Sequence, residues 1–409
     1  MRYIGSILLA ALLLGTMIVV GRAGYSRELG YRATQSGDLT SAERAIALAP
    51  SDPEAHVARA KVFLNSGDFG RAYKEYEQAI ALRPQDYYLW FRLGYAHYFA
   101  NDEQGAIAPF REAARLAPYY AEPRWMLGKM LLATGKRDEA FAELRRAASS
   151  NPVYMADVIA LAWDAYGDHG ETIEQVVAPR IPSEYLKLAL SFVAHGKPSE
   201  AMRLFRQAGN LSVTDRREFV GALLEAKNFT EAYEAWSNGT ESSGTANLIS
   251  NGSFEKPISK DEQEFGWQFS RAVAAEAWFS RDTSEPRDGQ YSLRLDFAGE
   301  VDPAINLVST LVVVQPNSHY RLTWAARTKD LSTGGLPIIG VNDANNDDRA
   351  IAESGPLSQG TSDWQNYQVE FSTSETTKAV YLNIRRKLCS AGCPITGHLW
   401  VDSFSLQKL

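Results

Sequence analysis

The chain has 409 residues, 45% of them hydrophobic and 22% charged, with a formal net charge of −7. That length suits two or three domains of ordinary globular composition. The acidic balance leaves no basic footprint for nucleic acid, and two cysteines are too few for a zinc ribbon or a disulfide scaffold.

The N-terminus comes first. After Arg2, residues 3–21 ("YIGSILLAALLLGTMIVVG") carry no charge, and Arg22 and Arg27 follow. A helix needs roughly 20 such residues to cross a bilayer, so residues 1–25 are expected to form a membrane anchor or signal segment. An uncleaved transmembrane helix is the first expectation. A cleaved signal peptide with its site near Gly21-Arg22-Ala23, releasing a secreted protein, is the alternative. Either would place the rest on the exported side of the inner membrane, in the periplasm or cell envelope.

Past that segment the sequence keeps time. Pro50, Pro84, Pro118 and Pro152 are 34 residues apart, as are Ala72, Ala106 and Ala140, and again Ala79, Ala113 and Ala147. Tyr76, Phe110 and Leu144 supply a bulky residue four after the first alanine of each set. Small residues let two helices approach, the bulky one fills the gap, and proline ends the second helix because it lacks an N–H. With Ala60, Gly94 and Gly128 in the eighth positions, segments 53–86, 87–120 and 121–154 resemble the tetratricopeptide repeat family. "SAERAIALAP" (41–50) closes an earlier shortened unit, and "EAMRLFRQA" (200–208) and "EAYEAWSNG" (231–239) keep the second-helix signature. The resemblance implies an all-α solenoid over 26–238, whose repeats bury their faces by stacking.

In "YYLWFRLGYAHYF" (87–99), Trp90, Leu93, Gly94 and His97 form one helical stripe, at the family's packing positions. Tyr88, Phe91, Tyr95 and Tyr98 form a second, which the resemblance places on the concave groove. Trp125, Trp163 and Tyr166 hold equivalent places, with Lys61, Arg92 and Lys129 among them. Either these rings pack between neighbouring helices, or they line a groove for a protein partner or for the apolar faces of sugars.

The Ser/Gly/Asn/Thr-rich residues 239–246 read as a linker. Beyond it, period-2 alternation in "YSLRLDF" (291–297), "HYRLTWAART" (319–328), "WQNYQVEFST" (364–373), "AVYLNIRRK" (379–387) and "HLWVDSFSL" (398–406) predicts an antiparallel β-sandwich or jelly roll over 247–409. "NDANNDD" (342–348) lacks the glycine and glutamate of a calcium-binding EF-hand loop and predicts a hairpin turn. With "NLISNGSFE" and the Gly266-Trp267 pair, these segments resemble carbohydrate-binding modules with a galactose-binding-like jelly roll. That resemblance implies a structural calcium near Glu255, Gln290 and Asp402, where the alternative is capping of turns. A glycan face would draw on Tyr381, Asn383 and Arg385, with Asn342, Arg327 and the loop platform Trp278; the same face could be merely solvated. Trp324, Trp364 and Trp400 are expected to pack the sandwich. Cys389 and Cys393, the two ends of "CSAGC", are close enough to form a disulfide in an exported protein.

No G-x-S-x-G, phosphate loop or H-E-x-x-H is present, and the histidines are scattered singly. The expectation is therefore a non-catalytic envelope scaffold, with a protein partner in the solenoid and a glycan on the jelly roll, in polysaccharide assembly or export. A pure protein–protein adaptor, with the jelly roll as spacer, and a glycan-modifying enzyme are the alternatives.

Overall fold

The computed structural model describes residues 2–237, 247–258, 264–272, 276–389 and 393–409. The proposed linker 239–246 lies outside the described residues. The chain divides into two compact units, Met1–Arg180 and Ile181–Leu409.

The first unit is helical throughout: α1 (Arg2–Ser36), α2 (Leu39–Leu48), α3 (Pro53–Asn65), α4 (Phe69–Leu82), α5 (Tyr87–Phe99), α6 (Glu103–Leu116), α7 (Ala121–Ala133), α8 (Arg137–Ser150), α9 (Tyr154–Tyr166) and α10 (Gly170–Val177). Among the described residues no helix is long and apolar enough to cross a membrane, which corrects the expected N-terminal membrane helix. The apolar run continues without a break into charged turns, across the proposed boundary at residue 25. There Ser26, Leu29 and Ala33 are buried. The Ser26 hydroxyl donates to Ala45 O at 2.8 Å, and the Arg27 guanidinium pairs with Asp52 at 2.8 Å, so this part of the helix belongs to the stack.

The 34-residue period fixes more than the alanines. Gly67, Asn101 and Gly135 occupy the same turn position at φ +78°, +55° and +80°, a region that glycine and asparagine enter at least cost. His56, Trp90 and Arg124, also one period apart, reach back to the carbonyls of Pro50, Pro84 and Pro118 at 3.1, 2.9 and 3.1 Å. Each pins the loop before its helix and satisfies an oxygen that the helix leaves over. Asp52 and Asp86 cap their helices by accepting from the N–H of Glu54 and Tyr88.

Tight packing explains the small eighth residue. A Cβ on Gly94 would sit 2.7 Å from the Phe110 ring, and one on Gly128 2.7 Å from Leu144. Phe110 and Leu144 are themselves fully buried. Gly94→Ala is therefore expected to destabilise the unit by about 1–3 kcal/mol through overpacking, against the small gain in helix propensity. Urea unfolding of the two chains checks this, and an unchanged midpoint would contradict it.

A buried ion network ties α3 to α4. His56 Nδ1 lies 2.8 Å from Glu75 Oε2 while its Nε2 faces Pro50 O, and the Arg59 guanidinium donates to Glu75 Oε1 at 2.6 Å. Both ring nitrogens face acceptors, so the imidazole is held as the cation. The hydrogen bond to Glu75 raises the pKa of His56 above 6.5. Burial alone would raise that of Glu75, but the hydrogen bonds from His56 and Arg59 prevail and lower it. The stability His56 brings is complete below pH 6.5 and is lost as pH rises through its raised value; Glu75 loses its share as pH falls through its lowered one. Unfolding measured from pH 6 to pH 9 should show a loss of stability that Glu75→Gln removes.

The second unit opens with α11 (Pro182–Ala194), α12 (Pro198–Ala208), α13 (Val213–Glu225) and α14 (Phe229–Ser237). The strands are β1 (Gln268–Phe269), β2 (Ala277–Asp282), β3 (Ser292–Gly299), β4 (Val308–Val313), β5 (His319–Thr333), β6 (Pro337–Asp343), β7 (Asn346–Glu353), β8 (Gly360–Ser372), β9 (Ala379–Arg386) and β10 (Ile395–Lys408). Among the described residues they form two five-stranded antiparallel sheets, β1-β4-β9-β6-β7 and β2-β3-β10-β5-β8. The core between them holds Leu293, Leu295, Leu322, Trp324, Val380, Leu382, Leu399 and Val401. Trp267 packs on Phe254 and Phe404 at 5.1 and 5.0 Å and donates its indole N–H to Asn251 O. "NDANNDD" forms the β6–β7 hairpin.

Of the three tryptophans expected in this core, Trp324 lies there. Trp400 is buried but points to the outer side of its sheet, because its neighbours Leu399 and Val401 take the inner side. Trp364 is half-buried at the register shift of β8, between Ser362 and Gln365, and is not among the residues of this core.

Candidate functional site

In the first unit α1, α3, α4, α5 and α7 line a cavity of 740 Å³, within the usual size range for ligand pockets. Tyr88, Phe91, Arg92 and Tyr95 come to it from α5, as the second stripe implies, with Lys61 from α3. Phe91 forms the buried floor, edge-on to Tyr95 at 4.8 Å and to Phe110 at 5.7 Å. Tyr88 is 43% exposed and Phe99 61%, so the rim stays open. Arg92 lies over the Tyr88 ring at 4.7 Å and donates to its hydroxyl. Its Nε is buried without a hydrogen-bond partner, a costly state for a charged donor.

The Tyr95 hydroxyl donates to Glu122 Oε1 at 3.4 Å. Burial first, and then the Glu122 carboxylate, push the Tyr95 pKa up to about 12. Tyr76, at the base, is pushed up to about 12 by burial. Both phenols are therefore neutral hydrogen-bond donors at neutral pH. The cavity is thus lined by apolar ring surface, the three phenols of Tyr76, Tyr88 and Tyr95, and cationic Lys61 and Arg92 opposite a single carboxylate.

The other groove candidates lie outside this cavity. Tyr98 is half-buried with Lys129 6.0 Å above its ring, and Trp125 stacks on Tyr154 at 4.6 Å. Trp163 is buried, and Tyr166 packs on Phe141 with Arg137 over it. These rings pack between neighbouring helices. Sequence reasoning missed Asn65, Phe99 and Glu122. Asn65 is four residues after Lys61 and Phe99 four after Tyr95, so the helical period could have found both.

The sandwich separates the expected glycan residues. Trp278 and Arg327 belong to the outer side of the β2-β3-β10-β5-β8 sheet. Asn342, Tyr381, Asn383 and Arg385 belong to the other sheet, where Asn383 Nδ2 donates to Asn342 Oδ1 at 3.2 Å and Arg385 pairs with Glu353. The helices of this unit pack on that second sheet: α14 lies on β4, the neighbour of β9. Tyr233 and Trp236 meet Phe265 at 5.2 and 5.5 Å, and the Lys227 ammonium donates to Asn345 O at 2.7 Å. The six residues therefore do not form one face.

On the first sheet, Trp278, Asp296, His398 and Lys329 stand in one cross-strand row, and Ser280, Arg294, Trp400 and Arg327 in the next. Trp400 is covered by the guanidinium groups of Arg294 and Arg327 at 5.1 and 5.9 Å and donates to Asp282 at 2.6 Å. Trp278 is 50% exposed.

The residues expected to hold calcium cap a turn. Glu255 Oε1 accepts from the backbone N–H of Gln290 and Tyr291 at 3.0 and 3.1 Å. Asp402 Oδ2 accepts from the N–H of Arg287 and Asp288 at 3.0 and 3.2 Å. Burial raises the Asp402 pKa to about 6. Glu255 Oε1 and both oxygens of Asp402 thus accept from backbone N–H groups, the arrangement that the turn-capping alternative implies. Among the described residues no cluster of three or more His, Cys, Asp or Glu side chains could hold a metal ion.

A tetratricopeptide-repeat family model matches residues 57–121. The chain contains tetratricopeptide repeats, a solenoid fold of the kind that binds peptides and proteins, followed by a β-sandwich. The peroxisomal targeting signal receptor of Eremothecium gossypii is 29% identical over 107 residues, 26% of this chain. The matched part is 19% of that relative's length. A structure of Pseudomonas aeruginosa pilF is 17% identical, covering 55% of this chain and 95% of its own, with a TM-score of 0.31. A structure described as "CBM4 structure and function" is 13% identical, covering 39% of this chain and 99% of its own, with a TM-score of 0.29. At such TM-scores neither likeness says what this chain binds.

Proposed function

We propose that the protein is a non-catalytic scaffold that holds an extended segment of a protein partner in the cavity of its first unit. The observation that carries this is the Arg92 guanidinium, buried at Nε without a partner beside open aromatic surface. A peptide carboxylate or carbonyl would satisfy that donor, with Lys61 adding charge, while an apolar side chain covers Phe91, Tyr95 and Phe99. The curated relative is, by its name, a receptor for a targeting signal, which agrees with this use of the fold. Selection from a random peptide library on the full chain tests it. Binders should share a carboxylate next to an apolar residue and lose affinity as salt rises. Binders that are basic, or that select equally on an Arg92→Met chain, would refute it.

The β-sandwich is the second binding module in this proposal, with a glycan as its ligand. Its support is Trp278, a half-exposed ring beside a row of polar side chains, suited to the apolar face of a sugar. Trp278→Ala should abolish binding of the full chain on a glycan array. A wild-type chain that binds no glycan would leave the sandwich as a spacer in a protein–protein adaptor.

A further inference from the structure

Cys389 and Cys393 are joined by a disulfide between the end of β9 and the start of β10, and both are half-buried. Beside it lies Arg386, which is fully buried. Its guanidinium donates to Val301 O, to Gly335 O at 3.2 Å, to Thr333 Oγ1 at 2.6 Å and to Cys393 O at 2.8 Å. Its Nη2 also stands 3.1 Å from Cys393 Sγ and 4.0 Å from Cys389 Sγ. None of these hydrogen-bond partners carries a charge. Burial works against the charge of Arg386, and the Asp302 carboxylate offsets this only through space, without a hydrogen bond; among the atoms in contact with the guanidinium, the one that can become an anion is Cys393 Sγ.

The surroundings bring the turn close to the sulfurs. A Cβ on Gly335 would stand 2.7 Å from Cys389 Sγ and 2.4 Å from Lys387 O, and one on Gly334 would stand 3.5 Å from Cys393 Sγ. The glycine pair therefore lets the β5–β6 turn close over the disulfide. The two sulfurs are placed unequally, since Cys393 has the nearer guanidinium.

We propose that Cys389–Cys393 is a thiol–disulfide exchange site, in which Arg386 holds Cys393 as the leaving thiolate and Cys389 receives the incoming thiol. The thiolate of a small thiol or of a dithiol protein attacks Cys389 Sγ. A new S–S bond joins it to Cys389, the Cys389–Cys393 bond breaks, and the electron pair goes to Cys393 Sγ beside the guanidinium. A second reductant thiolate then attacks the reductant's sulfur in the mixed disulfide. The reductant leaves as its disulfide, and Cys389 leaves as a thiolate that takes a proton from water. Two electrons pass from two reductant thiols to the protein. A leaving thiol of low pKa departs faster, and a neighbouring guanidinium lowers a thiol pKa from its ordinary value of about 8.5.

The test is alkylation of the full chain. The protein is reduced with a phosphine, pulsed with iodoacetamide between pH 5.5 and pH 9, and mapped by mass spectrometry. Cys393 should reach half-maximal alkylation rate below about pH 7 and react about tenfold faster than Cys389 at pH 6.5. Glutathione added in small excess to the oxidised protein should be found on Cys389. Arg386→Lys, which keeps the charge, should preserve the difference, and Arg386→Met should move Cys393 towards the ordinary thiol profile. The comparison within the wild-type chain holds even if Arg386→Met does not fold. Two cysteines with the same profile near pH 8.5, or glutathione on Cys393, would overturn the proposal.

Discussion

Truncating Tyr95 to alanine is expected to weaken binding of a selected peptide by about thirtyfold, or about 2 kcal/mol, the usual cost of removing a central aromatic anchor. Tyr95 touches Phe91, Phe99 and Phe110 and reaches Glu122, so its ring is both wall and donor. It is only half-buried, which limits the cost to the fold. Arg92→Met should act on the same peptide through charge, losing affinity and flattening the salt dependence. Fluorescence anisotropy of a labelled peptide reads both effects. A Tyr95→Ala chain that binds as tightly as wild type, while melting lower, would show that the ring serves packing alone.

Phe265→Ala is expected to destabilise the second unit by about 3–5 kcal/mol, the range for removing a buried phenylalanine. Phe265 is 1% exposed and is clasped by Tyr233 and Trp236 of α14, while its carbonyl accepts from Thr310 of β4. The loss should reach both partners. Amide protection should fall together in residues 213–237 and in β4 and β9. Unchanged protection in the helices would mean that they and the sandwich fold separately, as the Ser/Gly-rich linker suggests at first sight.

Much of the first unit was legible because a repeat writes its packing into the sequence. Gly94 and Phe110 meet because each period places a small residue against a bulky one, and the same period carried Gly67, Asn101 and Gly135 into one turn position. The groove was half legible. One helix supplied Tyr88, Phe91, Arg92 and Tyr95, but the matching Glu122 comes from α7, the first helix of the next repeat, where spacing along a single helix gives no hint.

In the sandwich, alternation found β3, β5, β8, β9 and β10. It gave each strand's parity but not always its sense, and so Trp400 was placed on the wrong side. The docking of α14 on β4 left no local mark, because Tyr233 and Phe265 are brought together by the tertiary fold. The nineteen uncharged N-terminal residues met a length rule for spanning, yet they form part of a helix whose continuation packs in the first repeat.

Hydrogen exchange of the full chain, with and without a peptide selected on it, tests the central claim most directly. Binding in the cavity should slow exchange in residues 61–65, 88–99 and 122–129 and leave the second unit unchanged. Slowing confined to residues 181–409, with none along α3, α5 and α7, would contradict the assignment of the solenoid cavity as the partner site.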